Sequence, residues 1–148
     1  MSNKTDRLKT LVNELLSYEI DRKKNHKRLK ELFNLFELFE KVEDFDAIFK
    51  FKAMNLSGIS LNLNNLGRVS EGKYAQIIAI AYEEENGKKK AKNLNLKYFG
   101  RVEKIDEELK NEIIEFVLRW RLEKSFLGVD HYKRMIKELT KDRWDSKN

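Results

Sequence analysis

Apolar and polar positions along the chain change period several times, and each change predicts a different element. Over residues 5–20, Leu8, Leu11, Val12, Leu15 and Leu16 recur at three- and four-residue steps. That is the spacing of one helix face, and Thr5 stands where an N-cap is needed. The basic stretch 21–28 lacks Gly and Pro, so it reads either as a loop or as a continuation of the helix. A second helix is expected over about 26–43. Its apolar set, from Leu29, Leu32 and Phe33 through Leu35, Phe36, Leu38 and Phe39 to Val42, wraps more than half of the circumference. An ordinary surface helix buries one stripe, so this one calls for cover on two sides, by its own sheet or by another chain.

The period then drops to two. Phe49, Phe51 and Ala53 alternate with Lys50 and Lys52, and Ile59, Leu61 and Leu63 alternate with Ser60 and Asn62. Ser57-Gly58 between them is a turn signal, and Asn64-Asn65 and Gly67 mark the next break. Further on, Tyr74–Tyr82 and Asn93–Gly100 flank Asn86-Gly87, the dipeptide best able to take φ > 0 at both centres of a type I′ turn. In the second arm Leu94, Leu96 and Tyr98 fall on one face and Asn93, Asn95 and Lys97 on the other. The last third returns to helix. Asp106 is its N-cap, Glu107 and Glu108 suit the positive end of the helix dipole, and Leu109, Ile113, Phe116, Val117 and Trp120 form the stripe. Gly128 reads as the end of that helix and Asp130 as the cap of a final one carrying Tyr132, Met135, Ile136 and Leu139. The expected architecture is one α+β domain over 1–148: two N-terminal helices, a four-stranded antiparallel meander and two C-terminal helices.

Composition narrows the chemistry. The chain has no cysteine and only His26 and His131, which argues against thiolate chemistry and multi-histidine metal sites. No Gly-rich phosphate loop and no nucleophile elbow is present. The carboxylates Glu40, Glu43, Asp44 and Asp46 are dense enough for Mg²⁺, but they form one run at a helix end rather than converging from separate elements. A non-enzymatic protein without a cofactor is therefore expected. There is no apolar run of membrane-spanning length and no apolar leader at the N-terminus, so the expectation is a cytoplasmic protein.

The charge is +6 overall and unevenly placed. Arg22, Lys23, Lys24, Lys27, Arg28 and Lys30 form one basic block, followed by an acidic one over 31–46. Lys88, Lys89, Lys90 and Lys92 surround the hairpin tip, and the C-terminal helices carry Arg119, Arg121, Lys124, Lys133, Arg134, Lys137, Lys141 and Arg143 with Trp120, Tyr132 and Trp144 interleaved. Clustered cations grip phosphates by releasing counterions, and free aromatics beside them stack on bases. The same letters also fit a solvated strand edge at the hairpin tip and, for Trp120 and Tyr132, core positions on amphipathic helices. The spacing across Leu127-Gly128-Val129 also permits a helix-turn-helix with His131, Lys133, Arg134 and Lys137 in a groove, or a plain helical hairpin.

In the hairpin, Tyr74, Gly87-Lys88 and Lys97-Tyr98-Phe99-Gly100-Arg101 resemble a short N-terminal segment of DDE-class insertion-sequence transposases. There an aromatic strand, a Gly-Lys turn and a basic strand end in a Lys-Tyr-Leu-Gly-like tetrad. The likeness spans about 30 residues and implies a nucleic-acid-associated accessory module. It carries over no catalytic residue, because the family's RNase H-like domain needs far more chain. Separately, a small, lysine-rich, cysteine-free chain is similar to proteins that mobile elements and phages encode, so such an origin is expected.

Two functions follow as expectations. The first is binding of DNA or RNA through Arg22, Lys23, Lys24, Lys27, Arg28, Lys88, Lys89, Lys90, Lys92, Arg134 and Lys137. The second is a small interaction module or inhibitor acting on a nucleic-acid-processing protein. In either case a homodimer is expected, with Leu35, Phe36 and Phe39 at the contact, because one sheet face cannot cover so broad a helix.

Overall fold

A single helix, α1 (Asn3–Leu35), takes up the first quarter of the chain. The basic stretch continues the helix, since Lys and Arg are good helix formers and nothing in it breaks the backbone ladder. In this computed structural model residues 3–145 are described, with side chains as far as Lys141. Helix α1 ends earlier than its apolar pattern suggests. Glu37 takes φ 55°, and Leu38–Glu40 forms a separate 3₁₀ turn that carries Leu38 into the core.

The expected strand over 48–53 is instead a 3₁₀ segment, Phe45–Lys50. The Asp44 carboxylate accepts a hydrogen bond from the Ala47 N–H (2.9 Å) and starts the turn. Phe45, Ile48 and Phe49, at helical spacing, then pack inward, with Phe45 edge-on to Phe33 (5.5 Å) and to Phe49 (5.3 Å). A six-residue alternation fits either period, and the cap decides between them. Strand β1 follows at Ala53–Ser57. The second expected strand, Ile59–Leu63, is reduced to one bridge between Ile59 and Val69. Here Ser60 donates to the Asn65 side chain, and the Asn62 side chain caps a turn at Leu63–Asn65.

Strands β2 (Tyr74–Glu85) and β3 (Lys88–Arg101) form the long hairpin. Asn86 and Gly87 both take positive φ (54° and 78°), which is the geometry required of a type I′ turn. The sheet is antiparallel in the order β1-β2-β3, a meander of three strands among the described residues rather than four. Helix α2 (Glu107–Asp145) is the last described element and runs unbroken through Gly128, so Leu127-Gly128-Val129 is not a turn and no helix-turn-helix forms there. A glycine inside a helix costs only about 1 kcal/mol, and the helical residues around it outweigh that. Among the described residues no helix is long and apolar enough to cross a membrane.

The two helices run antiparallel. Their contacts step evenly from Arg28–Glu115 through Asn25–Arg119 and Arg22–Glu123 to Tyr18–Phe126. They pack on the sheet face that carries Met54, Ala75, Ile77, Ala79 and Leu96. Leu29, Leu32, Phe33, Phe36, Ile113, Phe116, Val117 and Trp120 fill the core from the helix side. The Trp120 indole N–H donates to the Ile48 carbonyl (2.9 Å), so its one polar group is satisfied. Beyond this head, the first part of α1 and the last part of α2 extend as arms. Along them Leu8, Leu11, Leu15, Ile136 and Leu139 remain 55–76% exposed.

Candidate nucleic-acid interface

The strand period sorts the chemistry of the sheet. Odd-numbered residues of β2 from Ala75 to Ala79 point at the helices, so Tyr74, Gln76, Ile78, Ile80 and Tyr82 line the opposite face. Register adds Tyr98 opposite Gln76, Asn95 opposite Ile78, Asn93 opposite Ile80 and Asn55 on the other side of Ile78. Tyr98 was expected beside Leu94 and Leu96 on the apolar face. An irregularity in the ladder, where β3 passes Leu96 without a partner, inverts the alternation, and a second at Phe99 restores it. Phe99 therefore packs edge-on against Phe36 (5.2 Å), and Tyr98 turns outward.

On that outer face the Tyr74 and Tyr98 rings lie 5.6 Å apart, tilted by 37°. Tyr82 stands at the other end, with the Lys52 ammonium 5.5 Å and the Lys89 ammonium 5.8 Å from its ring centre. All three tyrosines are about half exposed. Between them the Asn95 side-chain amide donates to the Gln76 side-chain oxygen Oε1 (2.9 Å), linking the two amides on this face. The surface is thus an aromatic strip about 26 Å long, set by the strand rise, with amides in the middle and cations at one end.

The basic residues selected from sequence are distributed differently. The Arg22 guanidinium is bound to Asp130 (2.9 Å) and lies near Glu123 (3.8 Å). Burial opposes its charge, but the Asp130 bond and the carboxylates outweigh this and raise its pKa. Arg28 reaches Glu115 (3.0 Å) and Glu31 (3.3 Å), and the Glu115 bond is the largest influence raising its pKa. Lys23, Lys24 and Lys27 are exposed on α1, and Arg134 and Lys137 on the α2 arm. At the hairpin tip Lys90 pairs with Glu85 (3.2 Å) and Lys92 with Glu83 (3.2 Å), so much of the lysine run is an ion-pair ladder along the two strands. Register puts Lys88, Lys90 and Lys92 opposite odd-numbered β2 residues, and of the four only Lys89 shares the tyrosine face. The three basic clusters sit on three different elements.

The expected dimer contact divides in the same way. Phe36, assigned to an interface from its sequence, is a core residue 4% exposed, whereas Leu35 (56%) and Phe39 (53%) face outward. The broad apolar girth of α1 is covered on one side by α2, through Phe36 and Phe116 (6.0 Å), and on another by the Phe45–Lys50 turn and the sheet. Trp120 is buried and Tyr132 is 66% exposed, and the Trp144 side chain lies outside the described residues. Sequence reasoning missed the tyrosine face as a unit. Its signal was the parity of β2, where Tyr74, Gln76 and Tyr82 share a face that excludes Ala75, Ile77 and Ala79. No protein-family model, curated protein or solved structure matches the chain.

Proposed function

We propose that the protein is a non-enzymatic nucleic-acid-binding module that takes a single strand across the outer face of its sheet. The observation that carries this reading is the Tyr74–Tyr98 pair, half exposed beside the Gln76–Asn95 amides, with Tyr82 and its two lysines further along. Open aromatic rings accept unstacked bases, the amides offer donors and acceptors to base edges, and Lys52 and Lys89 meet the phosphate backbone. A duplex presents no free base faces to such a strip, so single strands are the preferred ligand. Fluorescence anisotropy with labelled single-stranded DNA, single-stranded RNA and duplex tests this at two salt concentrations. Tyr98→Ala and Tyr74→Ala are each expected to weaken single-strand binding by about 1–3 kcal/mol. Lys52→Ala and Lys89→Ala should mainly flatten the salt dependence, by about 0.7 for each phosphate that the variant no longer neutralises. Failure of single strands to bind at low salt, or tyrosine variants that bind like the parent chain, would rule the reading out.

A protein-binding module is favoured by a separate observation. Leu118, Leu122, Val129, Tyr132, Ile136 and Leu139 recur at heptad steps along α2, on a stripe beside the one that meets α1, and all are exposed. A photo-reactive residue at Ile136 should then capture another polypeptide, whereas one at Leu63, an exposed leucine on the head, should not.

A further inference from the structure

The α1 arm carries a ridge that complements itself. Leu8, Val12, Leu16 and Ile20 follow one another at four-residue steps and are exposed by 62, 45, 56 and 50%. Such a ridge packs into the groove beside the same ridge of another helix. Helix α2 does not supply that partner, because the side chains it meets on α1 are Tyr18, Arg22, Asn25 and Arg28, on a different stripe. The four ridge side chains leave on the order of 350 Å² of apolar surface uncovered, against about 800 Å² per partner in a standard stable interface. The flanking side chains, Lys9 and Glu19 among them, therefore supply much of the contact.

Charge selects the orientation. Reversing the ridge on itself sets Leu8 level with Ile20 and Val12 level with Leu16 of a second copy. The same register brings Lys9, beside the ridge, level with Glu19 at both ends of the pairing. A parallel pairing would instead set Lys9 against Lys9 and Glu19 against Glu19. We propose that two copies of this chain associate through antiparallel α1 arms, with the Leu8–Val12–Leu16–Ile20 ridges in contact and the two heads at opposite ends. This differs from the contact at Leu35, Phe36 and Phe39 and does not depend on the nucleic-acid reading.

Sedimentation of the purified full chain without nucleic acid is the test. The parent chain is expected to behave as a dimer, and Leu16→Glu as a folded monomer whose buried Trp120 indole N–H keeps its NMR position. Lys9→Glu and Glu19→Lys should each weaken the dimer severalfold, and the double exchange should restore it. Because the chain has no cysteine, Leu8→Cys and Ile20→Cys variants can be mixed with a short thiol cross-linker. Antiparallel arms link the two variants to each other and neither to itself. A parent chain that is monomeric at high micromolar concentration, a charge exchange that fails to restore association, or Leu8→Cys linking to itself overturns the proposal. None of these outcomes bears on the tyrosine face, which is read by oligonucleotide binding.

Discussion

The stripe of α1 that begins at Leu11 and Leu15 continues in heptad steps through Tyr18, Arg22 and Asn25 to Leu29 and Leu32, with Phe36 just past the helix end. At its N-terminal end the leucines are 55–65% exposed, and at its C-terminal end Leu29 and Leu32 are completely buried. Both ends are amphipathic helix and both lie on the side of α1 that meets α2. They differ in what else is present. In the head the three-stranded sheet and the Phe45–Lys50 turn close over the helix pair, whereas along the arms there are two helices alone. Two helices can cover only a narrow seam, so most of each apolar face stays in water until another surface arrives. An amphipathic stripe therefore shows which face is to be covered, and the sheet decides whether the chain itself covers it.

The sharpest way to break this comparison is to truncate one large side chain in each region. Phe116→Ala, at a fully buried position, is expected to cost about 3–5 kcal/mol in urea unfolding followed by far-UV circular dichroism. Leu11→Ala, on the exposed end, should fall within about 0.5 kcal/mol in dilute protein. Equal losses would mean that arm and head share one core.

A smaller effect tests the polar contact within the head. Glu115 accepts from Arg28 (3.0 Å) and Arg119 (2.7 Å). Burial alone would raise its pKa, but the Arg28 and Arg119 hydrogen bonds outweigh it and hold the carboxyl below its usual value. A carboxyl lowered by folding adds stability above its unfolded pKa of about 4.3, and that stability disappears as pH falls through the lower folded value. Glu115→Gln should thus cost about 1 kcal/mol at neutral pH and nothing in strong acid, read from unfolding midpoints across the acid range. A constant difference at every pH would show that the ion pairs contribute nothing and that only shape matters.

The smallest expected change is a gain. Gly128 lies in helical conformation with open space where a Cβ would sit. Gly128→Ala should stabilise the α2 arm by up to about 1 kcal/mol, visible as slower amide exchange over residues 124–134 with the head unchanged. Faster exchange there would mean that the glycine serves a bend.

Much of the fold was legible because it rests on local rules. Asn86-Gly87 specifies its turn through φ, and Asp106 caps α2 by accepting from the Leu109 N–H (2.7 Å). The helical thirds follow from apolar spacing, and so does the α+β class. The errors came where two local rules were nearly balanced. At Phe45–Lys50 a side-chain cap outweighed a short alternation, at Gly128 the surrounding helix outweighed one unfavourable residue, and at Ile59–Leu63 Ser60 and Asn62 side chains took up the backbone. Of the candidate site, the lysines were legible as letters but not as free charges. Glu83 and Glu85 neutralise Lys92 and Lys90 only because the hairpin register sets them side by side.

Residue types and their spacing were enough to specify which segments become helix, where the hairpin turns and which helix faces are apolar, because these depend on backbone conformation and on neighbours a few residues away. Tertiary structure decided that Phe36 is core while Leu35 and Phe39 are surface, that a ladder irregularity swings Tyr98 out beside Tyr74, and that Arg22 and Arg28 are held by carboxylates 108 and 87 residues distant. Each of these depends on which distant segment arrives at a given face, and that follows from how the sheet and two long helices pack together rather than from any local run of letters.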